Sequence, residues 1–224
     1  MNQTLAIIHT TPVTVEPLKN LAANLLPECG VVNLVDDSIL PELAKIGGDT
    51  AAVQDRLIQY SKIAEDLGAN AILNACSSVG GVVKKMEQAV KVPVVRIDEE
   101  MAEQAVHQAK SIGVAATLET TLEPTQNLLI EKSSELGKKI DLCPCLVTSA
   151  YEKLMEGDKE GHDRILGKAL AELIQKVDIV VLAQASMAKV VEQLPSDLQG
   201  NFLSSPKMGM ERVKRVMAGL QSGV

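Results

Sequence analysis

Residues 70–76 (NAILNAC) and 178–184 (DIVVLAQ) read as one element written twice, 108 positions apart. Each is a short apolar run that stops at a polar residue and a turn, the pattern of a buried parallel strand. The same shift sets Ile7-Ile8-His9 on Ala115-Ala116-Thr117, Val32-Asn33-Leu34 on Ile140-Asp141-Leu142, and Arg56 on Arg164. Strands and helices keep one offset without a gap, so the chain is expected to hold two related βα lobes.

Strands are expected at 5–9, 31–35, 71–75, 93–97, 111–116, 140–143 and 179–183. Helices are expected at 14–26, 51–67, 79–90, 99–110, 122–136, 162–176, 186–194 and 207–219. Asp98 is placed to cap the helix beginning Glu99-Glu100, Gly68 and Gly137 to end helices, and Pro124 to sit in a first turn. Hydrophobic residues make up 46% of the chain and aromatics 1%. Cores of Ala, Val, Leu and Ile suit sheets covered by helices on both faces.

The expected fold class is therefore α/β, with two pseudo-symmetric lobes. Each is a small parallel sheet flanked by helices, in the flavodoxin-like or Rossmann-like manner. The first lobe spans 1–97 and is completed by 207–224; the second spans 98–206. Ser204-Ser205-Pro206 is expected as the return hinge. Ligands of such sheets bind at the C-terminal strand edges, which would put His9, Cys76, Thr117 and Gln184 around one inter-lobe cleft.

Several partners are disfavoured. A net charge of −7 opposes nucleic acid, and so does the scarcity of stacking side chains. No apolar stretch approaches the ~18 residues of a membrane span. No basic-then-apolar leader is visible, so a cytoplasmic location is expected. Cys29, Cys76, Cys143 and Cys145 have no zinc-type spacing, and Cys143-Pro144-Cys145 is too close for a redox CxxC. Free thiols and no metal site are expected; a homo-oligomer is compatible with the sequence.

Cys76 is the residue best placed for chemistry. It follows a strand and precedes Ser77-Ser78-Val79-Gly80-Gly81, so turn N–H groups should lie beside its sulfur and favour a reactive thiolate. A small buried hydrophobe is the plainer reading. His9 ends the first strand, where it could exchange a proton with Cys76. Thr10, Thr11, Thr117, Thr120, Thr121, Ser77, Ser78 and Ser186 could bind carboxylate oxygens together with turn amides, or cap helices. Asn74 and Ala185 flank the two site positions as further substrate contacts. Cys143 and Cys145 read as core or strand-end residues, and His107 and His162 as solvated surface.

Four segments, taken in order, carry a family resemblance: Asn74-Ala75-Cys76-Ser77-Ser78, residues 116–121 (ATLETT), residues 143–147 (CPCLV) and residues 178–183 (DIVVLA). With them the chain resembles the aspartate/glutamate racemase superfamily over nearly its whole length. That group includes hydantoin racemases, maleate isomerase and arylmalonate decarboxylase. The resemblance implies cofactor-free proton chemistry at a carbon next to a carboxylate. Two cysteines, one per lobe, usually flank that carbon. It also implies a polar residue near His9 that assists the first thiol, and an acidic residue near Glu152 that serves the second.

This chain has Cys76 at the first thiol position and Gln184 at the second. A glutamine does not relay protons as a thiol does. Gln184 could hydrogen-bond a substrate or mark a lost site. The leading expectation is a racemase or isomerase acting on a small carboxylate through Cys76 with His9. The alternatives are a one-thiol decarboxylase of malonate-like acids and a catalytically silent carboxylate-binding protein.

Overall fold

The structure, a computed structural model, describes residues 3–222. Its backbone divides into two compact units, Met1–Asp98 with Pro206–Val224, and Glu99–Ser205.

In the first unit the elements run β1 (Thr4–His9), α1 (Val15–Leu25), β2 (Gly30–Val35), α2 (Ile39–Lys45), α3 (Ala51–Asp66), β3 (Ala71–Asn74), α4 (Val83–Ala89) and β4 (Val94–Arg96). In the second they run α5 (Glu99–Gln108), β5 (Ser111–Ala116), α6 (Glu119–Glu135), β6 (Asp141–Leu146), α7 (Thr148–Met155), α8 (Lys159–Ile174), β7 (Ile179–Leu182), α9 (Ala188–Val191), α10 (Ser196–Gln199) and β8 (Phe202–Ser204). Helix α11 (Ser205–Ser222) follows β8 in the chain but, from Pro206 on, belongs to the first unit.

Both sheets are four-stranded and parallel, ordered β2-β1-β3-β4 and β6-β5-β7-β8. In each, chain order reverses between the first and third strands of the unit, the switch point at which open α/β sheets bind ligands. His9-Thr10 and Asn74-Ala75-Cys76 end at that point in the first unit; Ala116-Thr117 and Leu182-Ala183-Gln184 do so in the second.

The period-2 alternation of strands sorts the first core into two layers. Ala6, Ile8, Ile72, Cys76 and Val94 pack with Leu43 of α2, Leu57 of α3 and Met86 of α4. Leu5, Ile7, Leu73, Ala75 and Val95 pack on the other face with Leu18 of α1 and with Met210, Val213 and Met217 of α11. Each fully buried Leu, Ile or Met contributes about 1.5–3 kcal/mol relative to exposure. Gly209 lets α11 approach closely, since a Cβ there would strike the Ile97 carbonyl. In the second unit Ala115, Val180 and Leu182 face Leu166 and Leu170 of α8 and Val190 of α9; α5 and α6 pack together, against β7 and β5 respectively.

The two units repeat each other in detail. Asn70 Oδ1 accepts the Thr4 amide at 2.8 Å, and Asp178 Oδ2 accepts the Ser111 amide at 2.8 Å. The Ala75 amide donates to the Ile8 carbonyl as the Ala183 amide donates to the Ala115 carbonyl. The offset is not constant, however. Strand registers match Thr4 with Ser111 (107), Gly30 with Asp141 (111) and Val94 with Phe202 (108). Helix α6 has 17 residues where α1 has 11, which slides β6 along the chain. A single shift of 108 therefore set His9 against Thr117, whereas the registers set Thr10 there.

Other expectations also change. Helices α2, α7 and α10 and strand β8 were not foreseen, being short. Strand β6 runs to Leu146, with Pro144 tolerated because β6 is an edge strand. The helical segments after β3 and β7 open as 3-10 turns at Ser77–Val82 and Ala185–Met187. Pro124 lies inside α6, not in its first turn. At Ser204-Ser205-Pro206 the chain returns to the first unit, without a loop: β8 passes straight into α11. Gly68 and Gly137 do end helices, at φ +83° and +63°. No helix among the described residues is long and apolar enough to cross a membrane.

Candidate active site

Cys76 stands one residue past the buried strand β3 and its neighbour Ala75, with extended backbone (φ −141°, ψ 117°), as the residue preceding the Ser77–Val82 turn. The Thr10 and Ser78 hydroxyls and the Ser78 and Val79 amides lie close enough to its sulfur to favour its charged form. Such donors favour thiolate. Burial works the other way and wins. Cys76 is 9% exposed, and desolvation lifts its pKa above the ordinary cysteine value despite the donors. The resting group is a thiol, against the expectation of a thiolate, held where a thiolate would be solvated by fixed dipoles as it forms.

Asn74 lies on the same sheet face. Its Nδ2 donates to the Cys76 carbonyl at 3.4 Å, which fixes the amide's orientation and leaves Oδ1 buried without a partner. The Ser78 hydroxyl is also buried without a hydrogen bond of ordinary geometry. Two orphaned polar atoms beside one thiol are costly unless something completes them. Ser77 is buried next to them.

His9 is placed differently from the expectation. Odd-numbered residues of β1 face α1 and α11, whereas Thr10 and Cys76 face the opposite layer. His9 is fully buried, with Nε2 2.9 Å from Asn33 Oδ1 and Nδ1 2.8 Å from the Thr14 hydroxyl. An amide oxygen only accepts, so Nε2 carries the hydrogen; the Thr14 hydroxyl lies between Nδ1 and the Thr11 carbonyl, to which it is 3.2 Å. Burial holds the His9 pKa below the usual histidine value, with the Asn33 bond opposing weakly. His9 is a satisfied neutral histidine that ties β1 to β2 and to the entrance of α1. Thr11 caps the 3-10 turn at Pro12–Thr14 through the Val13 amide.

The second unit repeats the Thr10–Cys76 relationship with other chemistry. Gln184 Oε1 accepts the Thr117 amide at 2.7 Å and the Thr117 hydroxyl at 2.9 Å. The side-chain carbonyl is thereby turned inward, and the NH2 group, with no protein partner among the described residues, is left as a fixed donor. Thr121 donates its hydroxyl back to the Leu118 carbonyl at 2.9 Å, within the first turn of α6, and caps nothing. Thr120 and Ala185 are half-buried and Ser186 is exposed. Cys143 and Cys145 pack half-buried on the second core and all four cysteines are free. Glu152 and His107 are exposed. His162, expected at the surface, is buried, with Nδ1 2.7 Å from Asp163 Oδ1.

Three residues at the Cys76 edge were not foreseen. Arg96, paired in register with Asn74, binds the fully buried Asp98 carboxylate through Nε at 2.6 Å and Nη2 at 3.1 Å. Asp98, expected as a helix cap, thus holds a guanidinium. A Cβ on Gly80 would fall inside that guanidinium, so the group lies flat on the backbone of the turn after Cys76. The signal was present in Val94-Val95-Arg96-Ile97-Asp98: two charges alternating out of an apolar strand, on one face. Among the described residues no cluster of three or more His, Cys, Asp or Glu could hold a metal.

Two repeated α/β sheets with a donor-ringed thiol at one switch point define a racemase-like enzyme fold, and the comparisons agree. A model described as Asp/Glu/Hydantoin racemase matches residues 7–213, and the chain belongs to that family. Glutamate racemase isoform RacE1 of Bacillus anthracis is similar in structure, with a TM-score of 0.73 and 16% identity over 97% of this chain and 82% of its own. Allantoin racemase of Klebsiella pneumoniae has a TM-score of 0.64 and 17% identity over 96% and 88%. A mutant arylmalonate decarboxylase in a sulfate-associated form has a TM-score of 0.61 and 16% identity over 96% and 94%. No curated protein sequence matches the chain significantly.

Proposed function

We propose that the chain is a cofactor-independent racemase or isomerase that moves a proton at the carbon next to the carboxylate of a small amino-acid or hydantoin-type substrate. Cys76 is the group that exchanges the proton. The observation that carries this reading is a buried thiol at the β1/β3 switch point, directly before the Ser77–Val82 turn, with the unpartnered Asn74 Oδ1 and Ser78 hydroxyl beside it. The Cys76 thiol first yields its proton to water; the thiolate so formed takes the α-proton and becomes a thiol again, leaving an enolate-like carbanion. The turn amides and hydroxyls carry out of water the charge that alternates between sulfur and carbon. Return of the thiol proton restores the starting enantiomer; a proton from water on the other face gives its mirror image. His9 takes no proton, because its face and both its hydrogen bonds turn it away from the thiol.

Asn74, Ser77 and Ser78 are the substrate contacts we assign on this edge, and Thr10 holds the sulfur. Thr117, Thr120 and Gln184, with Ala185 and Ser186, are assigned as contacts of the second edge, where Gln184 offers an NH2 donor. In deuterium oxide, the α-proton signal of a substrate should disappear with wild-type protein and persist with Cys76→Ser.

A second reading is favoured by Gln184 and by the protonated resting thiol. In decarboxylation of a malonate-like acid, the C–C bond breaks and carbon dioxide leaves. Its electron pair stays as an enolate, and Cys76 delivers its proton to one face. Water then reprotonates the sulfur. Release of carbon dioxide and a single product enantiomer distinguish this reaction from racemisation.

A further inference from the structure

We infer that Arg96 is a positioning residue for Cys76: its guanidinium, gripped by Asp98, clamps the Ser77–Val82 turn whose amides meet the sulfur. Gly80 is the contact. Its missing side chain lets the guanidinium lie on the turn's backbone, two residues beyond Ser78 and one beyond Val79, the two amide donors. Arg96, Asn74 and Cys76 share one sheet face, and Asp98 is fully buried beneath the guanidinium. A planar, doubly bonded arginine is a stiff plate, which a lysine cannot imitate.

The second unit supplies an internal control. At the positions matching Gly80, Arg96 and Asp98 stand Ala188, Ser204 and Pro206, and at the position matching Cys76 stands Gln184. Where the thiol is absent, the plate, its carboxylate grip and the glycine that admits it are absent too. A shorter turn, Ala185–Met187, follows β7 there without them, so the strand order alone does not demand the clamp. The groups meeting the Cys76 sulfur are the hydroxyls of Thr10 and Ser78 and the amides of Ser78 and Val79, none of which titrates in the working range. The charged groups of the turn and its strand are Arg96 and Asp98; the helices packed on the same layer add the bonded cluster of Asp36, Glu42, Arg56 and Tyr60 from the end of β2, α2 and α3, and Lys84 and Glu87 from α4.

The inference rests on Cys76 being the reactive group, and its test reads the thiol, not turnover. Rates of Cys76 alkylation by iodoacetamide are measured by peptide mapping from neutral to alkaline pH. The proteins are wild type, Arg96→Met with Asp98→Asn, and the triple variant Gly80→Ala, Arg96→Ser, Asp98→Asn, which copies the second unit's Ala188 and Ser204. Releasing the turn should raise the Cys76 midpoint by about one pH unit, a roughly tenfold loss of thiolate at fixed pH, as hydrogen bonds to the charged form slacken. Cys29, Cys143 and Cys145 should label as in wild type. A Cys76 midpoint unmoved in either folded variant overturns the clamp. Absence of α-proton exchange with wild-type protein would instead overturn the catalytic reading and leave the labelling result standing.

Discussion

Thr117 donates both its backbone amide and its hydroxyl to the side-chain oxygen of Gln184, at 2.7 and 2.9 Å. The register-equivalent Thr10 sets its hydroxyl close to the Cys76 sulfur, where it favours the charged form. The two units thus keep one device, a threonine at the end of their first strand that holds the residue past their third. They differ in what is held. A thiol can exchange a proton; a glutamine amide can only fix one.

Gln184→Ala leaves the buried Thr117 amide and hydroxyl without an acceptor. Chemical denaturation should register a loss of about 1–3 kcal/mol, the cost of buried donors left unmet. Gln184→Cys supplies a weak acceptor in the same place and should recover part of that loss. It should also raise α-proton exchange of aspartate, glutamate or a hydantoin above wild type. Exchange rates equal to wild type would mean that the second strand edge takes no part.

Cys76 should alkylate more slowly than Cys143 at neutral pH, because burial keeps it protonated and covered. Its rate should climb to a midpoint above the ordinary cysteine value of about 8.5. Thr10→Val removes one donor to the sulfur and should move that midpoint further up. A midpoint below the ordinary value would refute the balance of burial over donors.

His9 contributes stability with a definite pH sign. Its folded pKa lies below the unfolded value, so unfolding takes up a proton on the acid side. The contribution is present above the unfolded value of about 6.5 and is lost as pH falls from there through the lower folded pKa. His9→Leu should cost about 1–3 kcal/mol near neutral pH through the stranded Asn33 and Thr14 groups. It should also flatten the acid slope between pH 5 and 7. Turnover of folded His9→Leu should fall less than tenfold, well short of the 10²-fold or more expected for a lost general acid or base.

Much of the fold was legible because each major strand is a short apolar run with its own turn punctuation. Cys76 and Gln184 were found as a pair because the third strands of the units do keep the 108 offset. The His9 assignment failed on a one-residue slip. The third strands keep the 108 offset but the first strands stand at 107, a slip invisible to a fixed shift, and one residue along a strand reverses the face a side chain presents. Arg96 escaped because its significance lies in what it touches. Nothing in the spacing of Gly80, Arg96 and Asp98 reveals that a guanidinium fills the space of a missing Cβ. The short helices α2, α7 and α10 carry too few apolar positions to show a 3.6-residue period.

The central claim is that Cys76 exchanges a proton with a carbon next to a carboxylate. The direct measurement is proton NMR in deuterium oxide with aspartate, glutamate, hydantoins, maleate and arylmalonates, comparing wild type with Cys76→Ser. The account predicts that at least one substrate loses or exchanges its α-proton, or gains deuterium there with release of carbon dioxide. It also predicts that Cys76→Ser slows this by roughly 10²-fold or more. Exchange that proceeds equally in Cys76→Ser, or no exchange with any of these compounds, would contradict it.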